Sequence, residues 1–497
     1  MIYLVGENLF ELNSGTEFSQ LQRFKALKQA GLDVKIVLRN YNRMLGHALE
    51  ETGLSQDDVI NMYDFFQGTT QVERNEQNLR LLDSIPLTDY HINGIDNNHS
   101  LLQEAGKTIA EIHVMPQTIG LIGDIEYLDD RGNKAVGEYW DWRGFKSMVQ
   151  NFHPNGSVGT QRFLNQNGET VIEVTHMNIN GHLYPTMWKL FNYFGHNYVF
   201  DTENQLFTFF LNELNAQEAG TWVSDRRSVD ESVLNVANPV KTVAMVHSIT
   251  FNNFKHPKAG ILPAYQWALN QRQQRFDQVA FPTEEQLEDV AKVVADHDNF
   301  TVAADAAVEP VSETRKVGDK IHLLYRGMLG TNRRLGDLVH ALHNLQKKIP
   351  DAKLTLQGFF ASQKEHNELT DLIKKLGLEK SVTLANYAND DEIYKDVTLF
   401  VNASDNEAYG ISLLESMAHG VPVVSYAVPY LSNNLVKNDQ NGILVTNRTP
   451  SELAKAIVKL VGDPKKYQQL SQGAIATAQA NGADQLVKSW KAILKQN

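Results

Sequence analysis

A chain of 497 residues with 42% hydrophobic and 21% charged residues has the composition of a folded globular protein, with room for two or three domains. Its formal net charge of −13 argues against a general nucleic-acid binder, and the absence of cysteine excludes disulfides, thiolate metal sites and cysteine nucleophiles. Met1–Leu12 is apolar but carries Glu7 and Glu11 and no basic leader, and no run approaches the roughly 18 apolar residues of a spanning helix. A cytoplasmic protein, or one resting on the inner face of a membrane, is the expectation.

Ile2–Val5 reads as a buried strand. A helix from Thr16 to about Ala30 follows, with Phe18, Leu21, Phe24 and Leu27 on one face. Gly31 ends it, and Val34–Leu38 is the second strand. This unit opens a doubly wound domain. From about Thr70 to Leu206 the pattern changes to short alternating runs. They are separated by turn signals such as Pro154-Asn155-Gly156, Asn165-Gln-Asn167-Gly168 and Asn178-Ile-Asn180-Gly181. Asn-Gly between β-prone flanks predicts hairpins, so this stretch reads as an antiparallel meander. Tyr139, Trp140, Trp142 and Phe145 fit sheet core better than a sugar-stacking platform.

The α/β alternation then resumes. Asn204–Leu214 is a helix, Gly220–Ser224 and Val243–His247 are strands, Ala264–Phe276 is a helix, and Gln278–Phe281 and Phe300–Ala304 are strands. Residues 309–319 are polar and read as a linker. Beyond it the strands are Ile321–Tyr325, Lys353–Gln357, Ser381–Leu384, Thr398–Ala403, Val421–Tyr426 and Gly442–Val445. Helices such as Leu335–Gln346 and His366–Leu376 lie between them.

Val401–Val424 concentrates the candidate chemistry. It reads as strand end, polar loop, helix, tight turn and strand. Glu407 lies in the loop and Glu415 in the helix, and Gly410 stands near the helix N-terminus, where open backbone N–H groups suit a phosphate. Two glutamates eight apart mean little among 59 acidic residues, and a solvated helix face is the bland alternative. Their place decides for function: the carboxyl end of a strand, before a helix, is where open α/β sheets bind ligands.

Glu407-x7-Glu415, followed by Ser416-Met-Ala-His-Gly420-Val-Pro-Val-Val424 and by Asp439-Gln-Asn-Gly442-Ile-Leu-Val445, resembles the donor-site signature of retaining GT-B glycosyltransferases of the group 1 type. The resemblance implies an α/β GT-B fold: two Rossmann-like domains facing a cleft, with a β-rich antiparallel insertion in the N-terminal one. The implied division is 1–69 with 207–308 as the acceptor-side domain and 70–206 as the insertion. Residues 309–319 are then the linker, 320–480 the nucleotide-sugar domain, and 481–497 a helix packing back on the first domain. In such enzymes the first glutamate contacts the donor sugar and the second binds the ribose hydroxyls, tasks for which carboxylate oxygens are strong acceptors. Ala408, Tyr409, Gly410 and Ile411 complete the donor loop. His247, at a strand's carboxyl end, is implied to face the sugar, the alternative being a satisfied core histidine. Gly15 lies in the first loop, where relatives approach the donor. Ser14-Gly15-x-Glu17-x-x-Gln20-x-x-Arg23 is similar to the subgroup that glycosylates polymers, namely teichoic acids or serine-rich surface proteins. Glu17 and Arg23 themselves read as structural.

One part of the pattern is broken. The family carries an Arg after the first strand of the donor domain and a Lys five residues later, which together neutralise the diphosphate. Here the stretch is Tyr325-Arg326-Gly-Met328-Leu-Gly-Thr-Asn-Arg333-Arg334-Leu-Gly-Asp337. Met328 takes the Arg position and Arg333 the Lys position. Arg326 is the substitute after a two-residue shift, and Arg334 an alternative to Arg333; the other reading is two surface arginines opening a helix. Gly358-Phe359-Phe360 also lacks the usual second glycine. The expectation is a retaining transferase using a UDP-sugar, with no further cofactor and no metal. Its acceptor is a polymer, teichoic acid polyol phosphate first and protein Ser/Thr next. Its protein partner is a second copy or a paired glycosyltransferase-like subunit. The alternative is a degenerate binding subunit that holds the acceptor or stabilises an active partner.

Overall fold

The computed structural model describes residues 1–11, 14–80, 85, 88–251, 260–269, 275–311, 313–388 and 391–495. They divide into two compact units, Met1–Asn13 with Asp33–Thr242, and Ser14–Leu32 with Val243–Asn497.

In the first unit, strand Ile2–Gly6 lies between Val34–Leu38 and Thr221–Ser224, and Val59–Asn61 pairs with Val34–Leu38, all in parallel. Ile2–Gly6 is buried at every position, as a continuous apolar run covered on both faces must be. A ten-stranded antiparallel sheet runs from His91–Gly94 to His196–Phe200, each strand pairing with its neighbour in sequence. The Asn-Gly turns therefore do what their chemistry dictates. Trp140 and Trp142 enter a hydrophobic cluster with Leu102, Ile112 and Ile125, which is the core reading for these two residues, whereas Tyr139 and Phe145 stay half-buried. Arg143 ties the sheet to the preceding helix Met62–Gln67: it bonds Asp141, Asp64 and the carbonyl of Thr69 at 2.7 Å each, and it is almost fully buried.

In the second unit, strands Lys241–Met245, Gln278–Phe281 and Phe300–Val302 pair in parallel. The strand predicted to end at His247 stops at Met245, which leaves His247 in the loop that follows. The helix predicted over Ala264–Phe276 is a short turn, Pro263–Tyr265, running into Gln266–Leu269; residues 270–274 lie outside the described set. Helix Gly15–Gln29 packs against the terminal helix Ala483–Leu494, where the Arg23 guanidinium sits 4.3 Å from the Trp490 ring centre.

The same unit carries a six-stranded parallel sheet. Its order is Val382–Ala385, Lys353–Gln357, His322–Arg326, Leu399–Asn402, Val423–Tyr426, Gly442–Val445. The order reverses between His322–Arg326 and Leu399–Asn402, which makes that boundary the switch point where such sheets take ligands. Leu323, Leu324, Leu354, Leu356, Val423 and Val424 fill the core beneath it. The stretch 309–319 has no helix or strand among its described residues, yet Arg315 is fastened there, donating from Nε to the His419 carbonyl at 2.7 Å. No described helix is long and apolar enough to cross a membrane.

Candidate active site

The loop between strand Leu399–Asn402 and helix Ile411–Ala418 is fixed from both ends. The Asn402 carboxamide oxygen accepts from the Ser404 hydroxyl at 2.6 Å and from its backbone N–H at 3.2 Å, closing a tight turn just past the strand. At the other end Gly410 has φ +88°, and a Cβ there would lie 3.1 Å from methyl carbons of Leu431 and Leu435. Both the backbone and the space require glycine. Ala408 is buried, and Tyr409 donates from its hydroxyl to the Asn481 side chain at 3.3 Å and the Ala306 carbonyl at 3.4 Å. These anchors hold the first N–H groups of Ile411–Ala418 at the switch point.

Two arginine–glutamate pairs stand there. Arg333 Nη1 is 2.9 Å from Glu407 Oε2, with each side chain about one-fifth exposed (21% and 19%). Glu407 raises the Arg333 pKa, outweighing the opposing effect of burial. Arg326 Nη1 is 3.3 Å from Glu415 Oε2 and 3.3 Å from the Tyr394 hydroxyl, and its Nη2 donates to the Ala388 carbonyl at 2.8 Å. Arg326 is 3% exposed in its side chain and lies 5.0 Å from the Tyr387 ring centre. Burial opposes its charge, but Tyr394 and Glu415 outweigh burial and hold its pKa above the ordinary value. Burial pushes the Glu415 carboxyl up, and Arg326 pulls it back.

Arg326, the cation shifted by two residues from the family pattern, is thus attached to Glu415, and Arg333, at the Lys position, to Glu407. Arg334 turns elsewhere. It adopts φ +49°, donates to Asp337 at 2.6 Å and stands 3.6 Å from Asp405, while Tyr426 donates to the same Asp337 oxygen at 2.9 Å. Met328 is 47% exposed. Gly358 cannot carry a Cβ, which would fall 1.8 Å from the Gly327 carbonyl oxygen, and Phe359, in the stretch that lacks the usual second glycine, stacks on Tyr387 at 5.4 Å.

His247 is held by Asp305, whose Oδ1 lies 2.6 Å from the ring Nδ1. The same carboxylate oxygen accepts from Ser19 at 2.6 Å, so helix Gly15–Gln29 and His247 are linked through one buried aspartate. A Cβ on Gly15 would meet nothing within 4 Å, so packing does not demand glycine there. Sequence reasoning missed Tyr394, Tyr387 and Asp305. Tyr394 and Tyr387 precede the loop between Leu399–Asn402 and Ile411–Ala418 by several residues with no motif to mark them, and Asp305 lies three residues past the end of strand Phe300–Val302; only the last position carries a signal, the carboxyl end of a parallel strand.

A family profile described as Glycosyl transferases group 1 matches residues 311–477. Over the whole chain, the sequence is 21% identical to the UDP-N-acetylglucosamine–peptide N-acetylglucosaminyltransferase GtfA subunit of Streptococcus agalactiae, of which it covers 98%. It is 26% identical to the poly(glycerol-phosphate) alpha-glucosyltransferase of Bacillus subtilis over 277 residues, 55% of this chain and 40% of that one. Among solved structures, the pneumococcal O-GlcNAc transferase GtfA in complex with UDP and GlcNAc superposes with a TM-score of 0.84 at 17% identity, over 99% of this chain and 98% of that one. The fold is that of the GT-B enzymes, and residues 311–477, which contain both arginine–glutamate pairs, belong to the glycosyl transferases group 1 family.

Proposed function

We propose that the chain is a retaining glycosyltransferase that moves a hexose or N-acetylhexosamine from a UDP-sugar onto a polymeric acceptor. The observation that carries the reading is the pairing of Arg333 with Glu407 and of Arg326 with Glu415 at the switch point of the six-stranded sheet. Glu415, braced by Arg326 and Tyr394, is a preorganised acceptor for two ribose hydroxyls. Arg326 is a positioning residue: its two Nη groups are committed to Glu415, Tyr394 and Ala388. Arg333 is the diphosphate cation. A guanidinium has five N–H donors, so it can keep Glu407 and still meet phosphate oxygens. The N–H groups of Tyr409, Gly410 and Ile411 add donors at a helix start. Glu407 accepts from sugar hydroxyls, and His247, oriented by Asp305, faces the same sugar.

In the reaction the bond from the anomeric carbon to the UDP oxygen breaks and the bond to the acceptor oxygen forms on the same face. The acceptor proton passes to the leaving phosphate. Arg333 and the helix-start N–H groups stabilise the charge that develops there. In this scheme residues 320–480 hold the donor, 1–69 with 207–308 serve the acceptor side, and 70–206 grip the polymer. The relative matched along its whole length is named for a peptide acceptor, which supports protein Ser/Thr; the poly(glycerol-phosphate) relative matched over 55% of the chain supports teichoic acid polyol phosphate. We place protein Ser/Thr first on that difference in coverage, and a cytoplasmic site of action with it.

The test is UDP release by the purified chain from UDP-GlcNAc and UDP-glucose, with a Ser-rich peptide or poly(glycerol phosphate) as acceptor, followed by assignment of the new linkage by NMR. An α linkage supports retention; a β linkage refutes it, and no release with any pair refutes the enzyme. One observation favours a second reading, a binding subunit: exposed Met328 stands where the family pattern has its arginine. That reading predicts acceptor binding without turnover.

A further inference from the structure

Three side chains on the ten-stranded sheet of the first unit, in a different unit from the arginine–glutamate pairs, form a cluster that the proposed glycosyl transfer does not use. His99 lies on strand His99–Glu104 directly opposite His113 on strand Lys107–Val114. Glu111 precedes His113 by two residues and so shares its face of the sheet. One ligand atom from each of His99, Glu111 and His113 lies within 4.8 Å of the others. The two imidazoles stack with centres 5.1 Å apart and planes 15° from parallel.

Two details turn this from a polar patch into a metal geometry. His113 Nδ1 is 2.6 Å from Asp124 Oδ2, and Asp124 Oδ1 accepts from Arg43 at 2.9 Å. A carboxylate on one ring nitrogen orients the other toward a metal and raises its basicity, the arrangement most metal-bound histidines show. His99 Nε2 is enclosed and has no hydrogen-bond partner. An enclosed, unpaired ring nitrogen costs free energy that a coordinate bond would offset.

We infer that His99, Glu111 and His113 bind one Zn²⁺, with Asp124 as the positioning residue for His113. Two imidazoles and a carboxylate suit zinc, whereas magnesium and calcium prefer all-oxygen sets. A tetrahedral ion with ligands at about 2.0–2.2 Å holds them roughly 3.4 Å apart, so closure asks only that the stacked rings turn by side-chain rotation. Three protein ligands leave one position for water. Because the ligands come from two neighbouring strands close to one edge of the sheet, the ion staples the hairpin of His99–Glu104 and Lys107–Val114, on which the exposed edge strand His91–Gly94 is laid.

The experiment uses the untagged full chain, stripped with a chelator and titrated with ZnCl₂ by calorimetry. One saturable site per chain is expected. Glu111→Gln and the double variant His99→Ala/His113→Ala should weaken it at least tenfold, and Asp124→Asn about 10- to 100-fold. Wild type loaded with Co²⁺ should show the intense visible bands of a four-coordinate nitrogen/oxygen site, a readout that needs no variant to fold. No saturable site in the wild type, unchanged affinity in the double variant, or six-coordinate weak bands with Co²⁺ would each overturn the proposal.

Discussion

Arg333→Ala should separate rate from stability. In the structure Arg333 meets Glu407 at 2.9 Å, and both side chains keep about a fifth of their surface in water. Glu407 left alone can therefore be solvated, and the loss of fold stability should stay near 1 kcal/mol, the level of a partly exposed pair. The rate effect is larger. A fixed donor beside developing charge is worth about 100- to 1000-fold, or roughly 2.7–4 kcal/mol in the transition state. Arg326→Ala should behave in the opposite order. Its side chain is 3% exposed and contacts Glu415, Tyr394 and the Ala388 carbonyl, so removal strands a buried carboxylate. Breaking such a pair costs about 3–5 kcal/mol of stability. The assays are initial rates of UDP release at saturating donor and urea unfolding midpoints for each variant. If Arg333→Ala keeps more than a tenth of the wild-type turnover while folded, Arg333 is not the diphosphate cation. If Arg326→Ala unfolds at the wild-type midpoint, the division of labour between the two pairs is wrong.

The remaining predictions follow from the same geometry. Glu415→Gln should weaken UDP binding in calorimetry by about 1–3 kcal/mol, because an amide is a poorer partner for two ribose hydroxyls; unchanged affinity rejects the ribose role. Glu407→Ala should leave UDP affinity within about twofold and abolish transfer, and near-normal turnover rejects its contact with the sugar. Gly410→Ala forces a Cβ to 3.1 Å from Leu431 and Leu435 at φ +88°, so it should cost about 1–3 kcal/mol and reduce UDP affinity; a stable variant with full affinity removes the strain argument. Asp230, buried beside Ser224 and Arg227, has its carboxyl pushed up to about 6 by burial. A folded pKa above the unfolded value near 3.9 means that its contribution is complete below about pH 4 and is lost as pH rises through about 6. Asp230→Asn does not titrate there, so the stability of wild type relative to the variant should fall by about 2 kcal/mol from pH 4 to pH 7. Parallel urea midpoints at the two pH values would contradict the assignment.

Local chemistry made much of this legible in advance. The Asn-Gly turns can close only tight hairpins, so the antiparallel sheet was readable from residues 155–181 before any strand was seen. Apolar runs such as Leu323–Leu324 and Val423–Val424 exceed what a one-sided strand tolerates and point to a parallel sheet covered on both faces. Where the reading slipped, the deciding force was not local. The strand before His247 stops two residues early because its ladder with Gln278–Phe281 covers Val243–Met245 and closes with the Val246 N–H on the Ala280 carbonyl at 2.9 Å, and sequence pattern does not carry that register.

By itself the sequence determined the alternation of elements, the glycine at 410 and the placement of Glu407 and Glu415 on a loop and the helix that follows it. Each of these rests on contacts within a few residues along the chain. Which arginine serves which glutamate was decided only by the tertiary structure. Arg326 and Glu415 are 89 residues apart, and Arg333 and Glu407 are 74 apart. Their pairing is set by His322–Arg326 and Leu399–Asn402 lying side by side at the switch point. The partnership of His99 with His113 and Asp124 arose the same way, from strand register. Charge and spacing along one dimension do not encode distance across a sheet; burial and strand order do.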